Sequence, residues 1–339
     1  MTEAIEPISK PVTELKKHFV LVDLVIRLVK EKPLGTVGGI IVLLMFFAGI
    51  FSNFLAPYGM NEVHPPDSLS PPSAKYILGT DNLGRDMLSR IIFGARISMI
   101  VGLAGSGLST LVAIIIGLIS GFFGGKTDII LQRFVDGIMC FPPLFLILTI
   151  MAILGQGMAQ VIFVLGISSG IRNSRVVRSA VIGIKGNVYI DAASAIGCSN
   201  RQMFTRHILP NIMAPIIIIF TISMGAMILS EATISFLGFG IPPPTPSWGG
   251  MLSGQARVYM MLAPWLALWP GLSLSIAVFG INMLGDGVRD ILDPRLKGGL
   301  GRYGGTRKKK AWDKKLKSPS PTEQGLQSPE SQWSEKSNE

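Results

Sequence analysis

The stretch YIDAASAIGCSNRQMFTRHILPN occupies residues 189–211 and is the one long polar segment in the middle of the chain. Apolar stretches flank it on both sides, and a lipid bilayer would not readily accept its charged side chains. A structured polar loop between membrane helices commonly carries function, because loops are where a rigid scaffold presents its binding residues. We call residues 186–211 the central loop and predict that another protein binds it.

The composition indicates a polytopic membrane protein. Only 15% of the residues are charged and 48% are hydrophobic, whereas soluble domains carry about 25% charged residues. The net charge of +10 does not indicate nucleic-acid binding, because the basic residues are concentrated in particular loops and in the C-terminal tail. Such a distribution is typical of a protein whose loops are oriented across a membrane and contact lipid headgroups.

Long apolar stretches predict an all-α protein with about six membrane-spanning helices. A helix needs about 20 apolar residues to cross a bilayer. The stretch 137–171 is too long for one span and is divided at Gly155-Gln156-Gly157, while Pro142-Pro143 predicts a kink within it. The predicted spans lie near residues 34–57, 97–125, 135–154, 158–178, 212–238 and 265–286, within a membrane domain at 34–300.

The two ends of the chain are predicted to lie outside the bilayer. In the segment 1–33, apolar residues recur at helical spacing between residues 12 and 30, which favours an amphipathic helix. That helix is expected either on the membrane surface or packed on a neighbouring helix. The first apolar stretch is long enough to span and is expected to remain as an uncleaved anchor. Residues 301–339 are rich in lysine, serine and proline, and they are predicted to be a disordered basic tail.

The distribution of lysine and arginine predicts the orientation. With six spans, both termini and the central loop lie on one side, which carries 26 of the 31 basic residues. Without the twelve in the tail, the ratio is still fourteen to five. Cytoplasmic loops carry the excess of basic residues, so both termini and the central loop are predicted to be cytoplasmic.

The central loop itself is predicted to form two short helices outside the membrane. Gly197 is expected to end the first helix in a left-handed conformation. Asn200 is expected to cap a second helix over residues 201–209, which Pro210 is expected to stop. The alanines of the first helix would allow a partner surface to approach closely, and Asp191 and Arg206 would orient it.

A second group of charged residues lies on the predicted outer side. Thr80 or Asp81 is expected to cap a short helix that ends at Arg90, before the span at 97–125. The charged residues Asp81, Arg85, Asp86 and Arg96 suit contact with a partner chain, and the alternative is an interfacial helix whose arginines extend to the membrane surface.

Glu231 lies inside the fifth predicted span and is a functional candidate for that reason. It is about 20 residues into that span and therefore close to the outer interface, where its desolvation is expected to be partial. A structural capping or hydrogen-bonding role is favoured over contact with a transported solute.

No enzyme motif is present in the sequence. Gly125-Lys126-Thr127 is similar to the end of a phosphate-binding loop, but Ser120 replaces the required glycine and a membrane span precedes it. The three histidines lie in three different segments, and the two cysteines, Cys140 and Cys198, are too few for a usual zinc site. The chain is therefore predicted not to be an enzyme by itself and to bind no metal or cofactor.

The central loop resembles the EAA loop of ABC-transporter permeases. The segment DAASAIG at 191–197 is followed by ILP at 208–210, as in that loop, and Asp191 replaces the usual glutamate. The resemblance implies that the loop docks into a cleft of a cytoplasmic ATPase subunit and transmits its closure to the membrane helices. The residues implied in this coupling are Asp191, Ala192, Ala193, Gly197, Arg206, Leu209 and Pro210.

Three further segments resemble the second permease of dipeptide, oligopeptide and nickel importers. They are LGTDNLGRDMLSRIIFGARIS (78–98), EATISFLGFGIPPPTPSWG (231–249) and LGDGVRDILDPRL (284–296), and the resemblance covers roughly residues 20–300. It implies the architecture of a type I ABC importer permease in the cytoplasmic (inner) membrane. The implied partners are a second homologous permease, ATPase subunits that hydrolyse the ATP, and an extracytoplasmic solute-binding protein.

Two alternatives belong to other functional classes. A stand-alone secondary transporter or channel would be expected to have ionisable groups near the middle of its spans and an internal repeat. A membrane-embedded enzyme would need a pair of catalytic residues. The sequence contains no clear sign of either.

Overall fold

A computed structural model describes residues 20–292, and these residues are helical with no β-strand among them. The N-terminal residues 1–19 and the tail 301–339 lie outside the described residues, so their predicted structure stays a prediction. The helices are α1 (Val20–Glu31), α2 (Pro33–Ile50), α3 (Ser52–Leu55), α4 (Met87–Phe123), α5 (Gly125–Met139), α6 (Pro143–Leu154), α7 (Met158–Lys185), α8 (Val188–Ala195), α9 (Asn200–Gln202), α10 (Met213–Phe236), α11 (Trp248–Leu252), α12 (Gln255–Tyr259) and α13 (Trp265–Leu292).

The all-α membrane architecture is confirmed. Within residues 20–292, four helical runs are long and apolar enough to cross a membrane: α2, α4, the run from Asn200 to Phe236, and α13. The pair α5 and α6 is bent by 87° and adds a fifth if it forms one broken span. Helix α7 has 28 residues, but its three arginines lower its hydropathy and it is not among these spans, so the predicted number of six stays a prediction.

The segment before the second span differs from the prediction. The expected short helix ending at Arg90 and the expected span at 97–125 are one helix of 37 residues, α4. At 1.5 Å per residue it is about 55 Å long, which exceeds the thickness of a bilayer core. Asp86 caps it, rather than Thr80 or Asp81, because its side chain accepts a hydrogen bond from the Ser89 amide. No proline lies between Met87 and Phe123 to interrupt the helix.

The prediction that Pro210 stops the second helix of the central loop is wrong. The chain remains helical from Asn200 to Phe236, passing through a π-helical segment at Met203–Ile208 and a 3-10 turn at Leu209–Ile212. Proline lacks an amide hydrogen and its ring clashes with the preceding turn of an α-helix. The wider π turn and the tighter 3-10 turn accommodate both effects without ending the helix.

Small residues set the distance between α4 and α7. At Gly117 a Cβ atom would lie 2.6 Å from the Ser174 carbonyl oxygen, and at Gly166 it would lie 2.8 Å from Leu108. Small residues allow such close approach of membrane helices. Near this crossing, the Asn173 amide donates to Ser109 on α4 at 3.4 Å and to Ser223 on α10 at 3.1 Å, so polar contacts join three helices.

Helix α1 packs against the C-terminal part of α13. Leu28 is buried against α2 and α13, at the close approach of Gly35 and Gly287. Lys32 forms an ion pair of 2.6 Å with Asp290. The neighbouring Val25, Ile26 and Val29 are exposed, so this helix packs on its neighbours while it also presents apolar side chains outward.

Candidate functional site

The central loop begins with α8, which lies against the bundle through one face. Ile190 and Ala193 are three residues apart and therefore share that face, and both are buried. They join a cluster that includes Val177 and Val181 of α7 and Ile212 at the start of the following span. Helix α8 is thus packed on α7 and shares one apolar cluster with the segment that leads into the following span.

Gly197 ends α8 in the predicted way. Its φ of +83° is left-handed, and its amide donates to the Ser194 carbonyl at 3.0 Å. The Cys198 amide donates to the Ala193 carbonyl at 3.1 Å. This pair of bonds is the Schellman motif, which satisfies the last carbonyls of a helix and favours glycine.

The second half of the loop starts at Ser199, one residue before the predicted cap. Ser199 and Gln202 form a reciprocal capping box. Phe204 then packs edge-on against Phe122, with ring centroids 4.6 Å apart, at the end of α4. Met203 and Ile208 are buried in the same cluster as α8. The loop is therefore fixed to α4, α7 and α10 together.

The outer face of the loop exposes apolar side chains. Val188 is 83% exposed and Ile196 is 82% exposed, on either side of Asp191. Tyr189 is also exposed. Neither Val188 nor Ile196 was among the predicted coupling residues, although their position at the two ends of the short helix was the signal that could have identified them. Exposed apolar side chains at both ends of a short polar loop helix indicate an interaction site.

The predicted coupling residues divide between the two faces. Those that are exposed are Asp191, Ala192, Gly197, Arg206 and Pro210. Ala193 is 3% exposed and Leu209 is partly buried, so both face the bundle. The expectation that Ala193 meets a partner surface is therefore wrong, because the i to i+3 spacing from Ile190 turns it inward.

Ion pairs brace the helices beside the loop. Arg178 on α7 donates through Nε and Nη2 to the two carboxylate oxygens of Asp128 on α5, at 2.6 and 2.5 Å. One turn away on α7, Arg175 pairs through Nη2 with a single carboxylate oxygen of Asp136. Lys185 donates to the Phe122 carbonyl at 2.7 Å. Bidentate arginine–carboxylate pairs fix geometry as well as charge, so the loop end of the bundle is tied across α4, α5 and α7.

At the opposite end of α4, the predicted charged residues are largely internal. Asp81 is 6% exposed and Asp86 is 4% exposed. The Asp86 carboxylate accepts hydrogen bonds from the Ser89 amide and hydroxyl at 2.8 and 2.7 Å. Arg96 is partly exposed, unlike these two aspartates. The two aspartates therefore hold the local fold in this chain.

We expect Asp86→Ala to lower the free energy of unfolding by about 2 kcal/mol, because it removes a helix cap whose donors are buried. Asp86→Asn keeps one acceptor oxygen and should cost less. Thermal unfolding of the purified variants in detergent measures both. Equal midpoints for Asp86→Ala and the unmodified protein would contradict the capping role.

A small polar cluster stabilises the segment between α3 and α4. The Asp67 carboxylate accepts hydrogen bonds from Lys75 at 2.7 Å and from the Tyr76 hydroxyl at 2.8 Å. These hydrogen bonds lower the pKa of Asp67.

Two tryptophans anchor the same region: Trp265 donates to the Thr80 carbonyl and Trp248 to the Ile91 carbonyl, each at 3.1 Å.

Glu231 is more buried than expected. Its exposed fraction is 0%, whereas the sequence predicted partial desolvation. Its Oε1 accepts a hydrogen bond of 2.6 Å from Ser235, whose hydroxyl oxygen in turn accepts from the Ile241 amide at 3.2 Å. In the loop after α10, Gly249 packs against the backbone of the neighbouring Ala232, which contributes to the burial. These contacts agree with the favoured hydrogen-bonding role.

No cluster of three or more potential metal ligands occurs within residues 20–292. Cys140 is exposed and Cys198 partly buried, and neither is in a disulfide.

The comparisons with known proteins agree with this geometry. Residues 113–298 match the family described as the binding-protein-dependent transport system inner membrane component. Residues 21–72 match the N-terminal transmembrane domain of oligopeptide transport permease C. The first match includes the whole central loop.

Three relatives are similar over most of their length. A dipeptide transport system permease protein of Alkalihalophilus pseudofirmus is 39% identical over 79% of this chain and 88% of its own. A di/tripeptide transport system permease protein of Pseudomonas aeruginosa is 39% identical over 78% and 89%. A glutathione transport system permease protein of Pectobacterium atrosepticum is 37% identical over 79% and 89%.

These matches confirm the resemblance that the four motifs indicated. Permease subunits of ABC transporters are not enzymes by themselves, in agreement with the prediction for this chain. The chain belongs to the family of binding-protein-dependent transport system inner membrane components, and it is a permease subunit of an ABC importer.

Proposed function

We propose that this permease carries short peptides across the cytoplasmic membrane, driven by separate ATPase subunits that bind its central loop. The relatives described above are named for dipeptides, di- and tripeptides and glutathione. For this reason we propose peptides as the transported solute rather than nickel, whose importers share the same motifs.

The observation that carries the coupling role is the two-sided packing of α8. Its inner face is buried in the bundle through Ile190 and Ala193, and its outer face exposes Val188 and Ile196. A partner that binds the outer face would therefore move a rigid element that packs on α7 and shares an apolar cluster with the start of the following span. Asp191 lies exposed on the outer side, where it can orient that partner through a charged contact.

The proposed assembly needs several partners. We place the central loop and both termini in the cytoplasm, since that side carries most of the basic residues. The ATP is hydrolysed by the ATPase subunits, and this chain binds none. A second homologous permease would complete the pathway, and an extracytoplasmic binding protein would deliver the peptide at the opposite end. Membrane lipid surrounds the spans.

The direct test is reconstitution. The chain, a homologous permease, the ATPase subunits and the binding protein are assembled in liposomes, and uptake of a labelled dipeptide is followed. We expect uptake that requires every component and ATP hydrolysis, with a non-hydrolysable ATP analogue as the control. Peptide movement by the purified chain alone, driven by an ion gradient, would overturn the proposal in favour of a secondary transporter.

A further inference from the structure

A cavity of about 290 Å³ lies at the end of the bundle opposite the central loop. It is formed where the segment before α4 meets the loop between α10 and α13, and its lining includes Arg90. Along α4, Arg90 and Phe122 are separated by about 50 Å of helix, so the cavity is far from the coupling surface. Its volume is near the lower end of the roughly 300–1,000 Å³ range of small-molecule sites.

The charged side chains in the lining leave an excess of positive charge. Asp81, Arg85 and Arg90 are its charged residues. The Asp81 carboxylate already accepts hydrogen bonds from the Leu83 amide at 2.8 Å, the Arg85 amide at 3.0 Å and the Arg85 Nε at 2.6 Å. Its negative charge is therefore largely committed to the neighbouring turn and to Arg85.

Arg90 lacks a comparable partner. It is only 7% exposed, and its Nε atom lies 3.7 Å from Asp81, beyond hydrogen-bonding distance. Its Nη1 atom is buried and has no hydrogen-bond partner among the described residues. A buried charge is costly unless it is paired and hydrogen-bonded. Because Arg90 lines the cavity, an anion held there would pair with this charge.

The rest of the lining suits a ligand with variable side chains. Backbone at Gly238, Gly240, Gly250 and Gly254 contributes to the walls, together with Pro242 and Pro243. Glycine has no side chain to limit the shape of what enters, and the backbone offers hydrogen-bonding groups that any peptide can use. Among the charged groups of the lining, Arg90 is the cation without a close partner.

We propose that the cavity binds the C-terminal carboxylate of a short peptide through Arg90. The planar guanidinium group matches a carboxylate with two parallel hydrogen bonds. Peptides of every sequence share this carboxylate, so its recognition is independent of the side chains. The inference rests on the proposed function, because it assumes that peptides are the transported solute.

The test compares an acid with its amide. The full-length chain is placed in lipid nanodiscs, and binding of dialanine and of dialanine amide is measured by isothermal titration calorimetry. We expect the acid to bind at least tenfold more tightly than the amide, the loss expected when a hydrogen-bonded charge pair is removed. Arg90→Gln should reduce acid binding to the level of the amide, and Arg90→Lys should retain part of it.

The matched control is Arg257→Gln. Arg257 is exposed, stacks on Phe236 and does not line the cavity. Its replacement removes one nearby positive charge and should leave dialanine binding unchanged. Equal binding of acid and amide by the unmodified chain would overturn the inference without relying on any variant. An equal loss in both arginine variants would also overturn it, because the effect would then come from the general positive charge.

Failure of this inference can be distinguished from failure of the proposed function. If ATP-driven dipeptide uptake occurs in liposomes but does not change with Arg90→Gln, the carboxylate site is wrong and the transport proposal stands. If the chain binds dialanine through Arg90 but the assembled complex moves no peptide, the transport proposal is wrong.

Discussion

Replacing Gly170 with leucine is expected to separate α4 from α7 and to destabilise the whole bundle. A Cβ atom at this position would lie 2.6 Å from the Ser109 carbonyl oxygen and 2.6 Å from the Val112 Cβ. Backbone atoms cannot rotate away, so the helices would have to move apart. Overpacking commonly costs about 1–3 kcal/mol, and we expect a loss near 3 kcal/mol here.

The same displacement would weaken a polar contact one turn along α7. Asn173 donates to Ser109 on α4 at 3.4 Å and to Ser223 on α10 at 3.1 Å. The two serines are buried, and losing the partner of a buried polar group is costly. The combined effect makes Gly170 one of the positions where we expect substitution to be least tolerated.

The measurement is the thermal unfolding midpoint in detergent, together with the monodisperse fraction on size-exclusion chromatography. Gly183→Leu is the matched control, because Gly183 is on the same helix and nothing lies within 4 Å of the position its Cβ would take. Leucine is also the better helix former, so this control should be neutral or slightly stabilising. Similar midpoints for both variants would show that close packing at Gly170 does not limit stability.

The second large effect is expected at the outer face of the central loop. Replacing Val188 and Ile196 together with serine should abolish most of the binding to the ATPase subunits. Burying a valine or isoleucine side chain contributes about 1.5–3 kcal/mol. The pair should therefore cost about 3 kcal/mol or more, which is roughly a hundredfold in affinity. Dipeptide uptake in the reconstituted complex should fall together with this affinity.

This variant should not disturb the fold, since both side chains are more than four-fifths exposed. Co-purification with the ATPase subunits and the ATPase rate in liposomes measure the loss. The control replaces Val176 and Ile182 with serine, the same two substitutions at half-exposed positions on α7. Unchanged ATPase binding in the Val188 and Ile196 variant would exclude this face as the docking surface.

Much of the architecture could be predicted because its signals are local. The length and apolar character of the spans follow from the absence of charge over about 20 residues. The end of α8 at Gly197 could be predicted from one glycine, because the left-handed conformation is a property of that residue and its immediate neighbours. The four motifs identified the family, and the comparisons confirm it.

The errors arose where distant residues decide the outcome. Pro210 was expected to stop a helix, but the π and 3-10 turns carry the chain into α10, and Ile212 of the 3-10 turn is buried in the same cluster as α8. Glu231 was expected to be only partly desolvated near an interface, but it is fully buried where Gly249 packs on the adjacent Ala232. In each case, burial against another part of the chain outweighs the local preference of the residue.

The sequence by itself determined the class of protein, the approximate spans and the polar loop at residues 189–211, because charge, hydropathy and glycine act locally. Only the tertiary structure decided which face of that loop is buried and which is exposed to solvent. It turned Ala193 inward and left Val188 and Ile196 exposed. It also left Arg90 buried without a full partner. Both results depend on contacts between residues far apart in the chain, which no local pattern records.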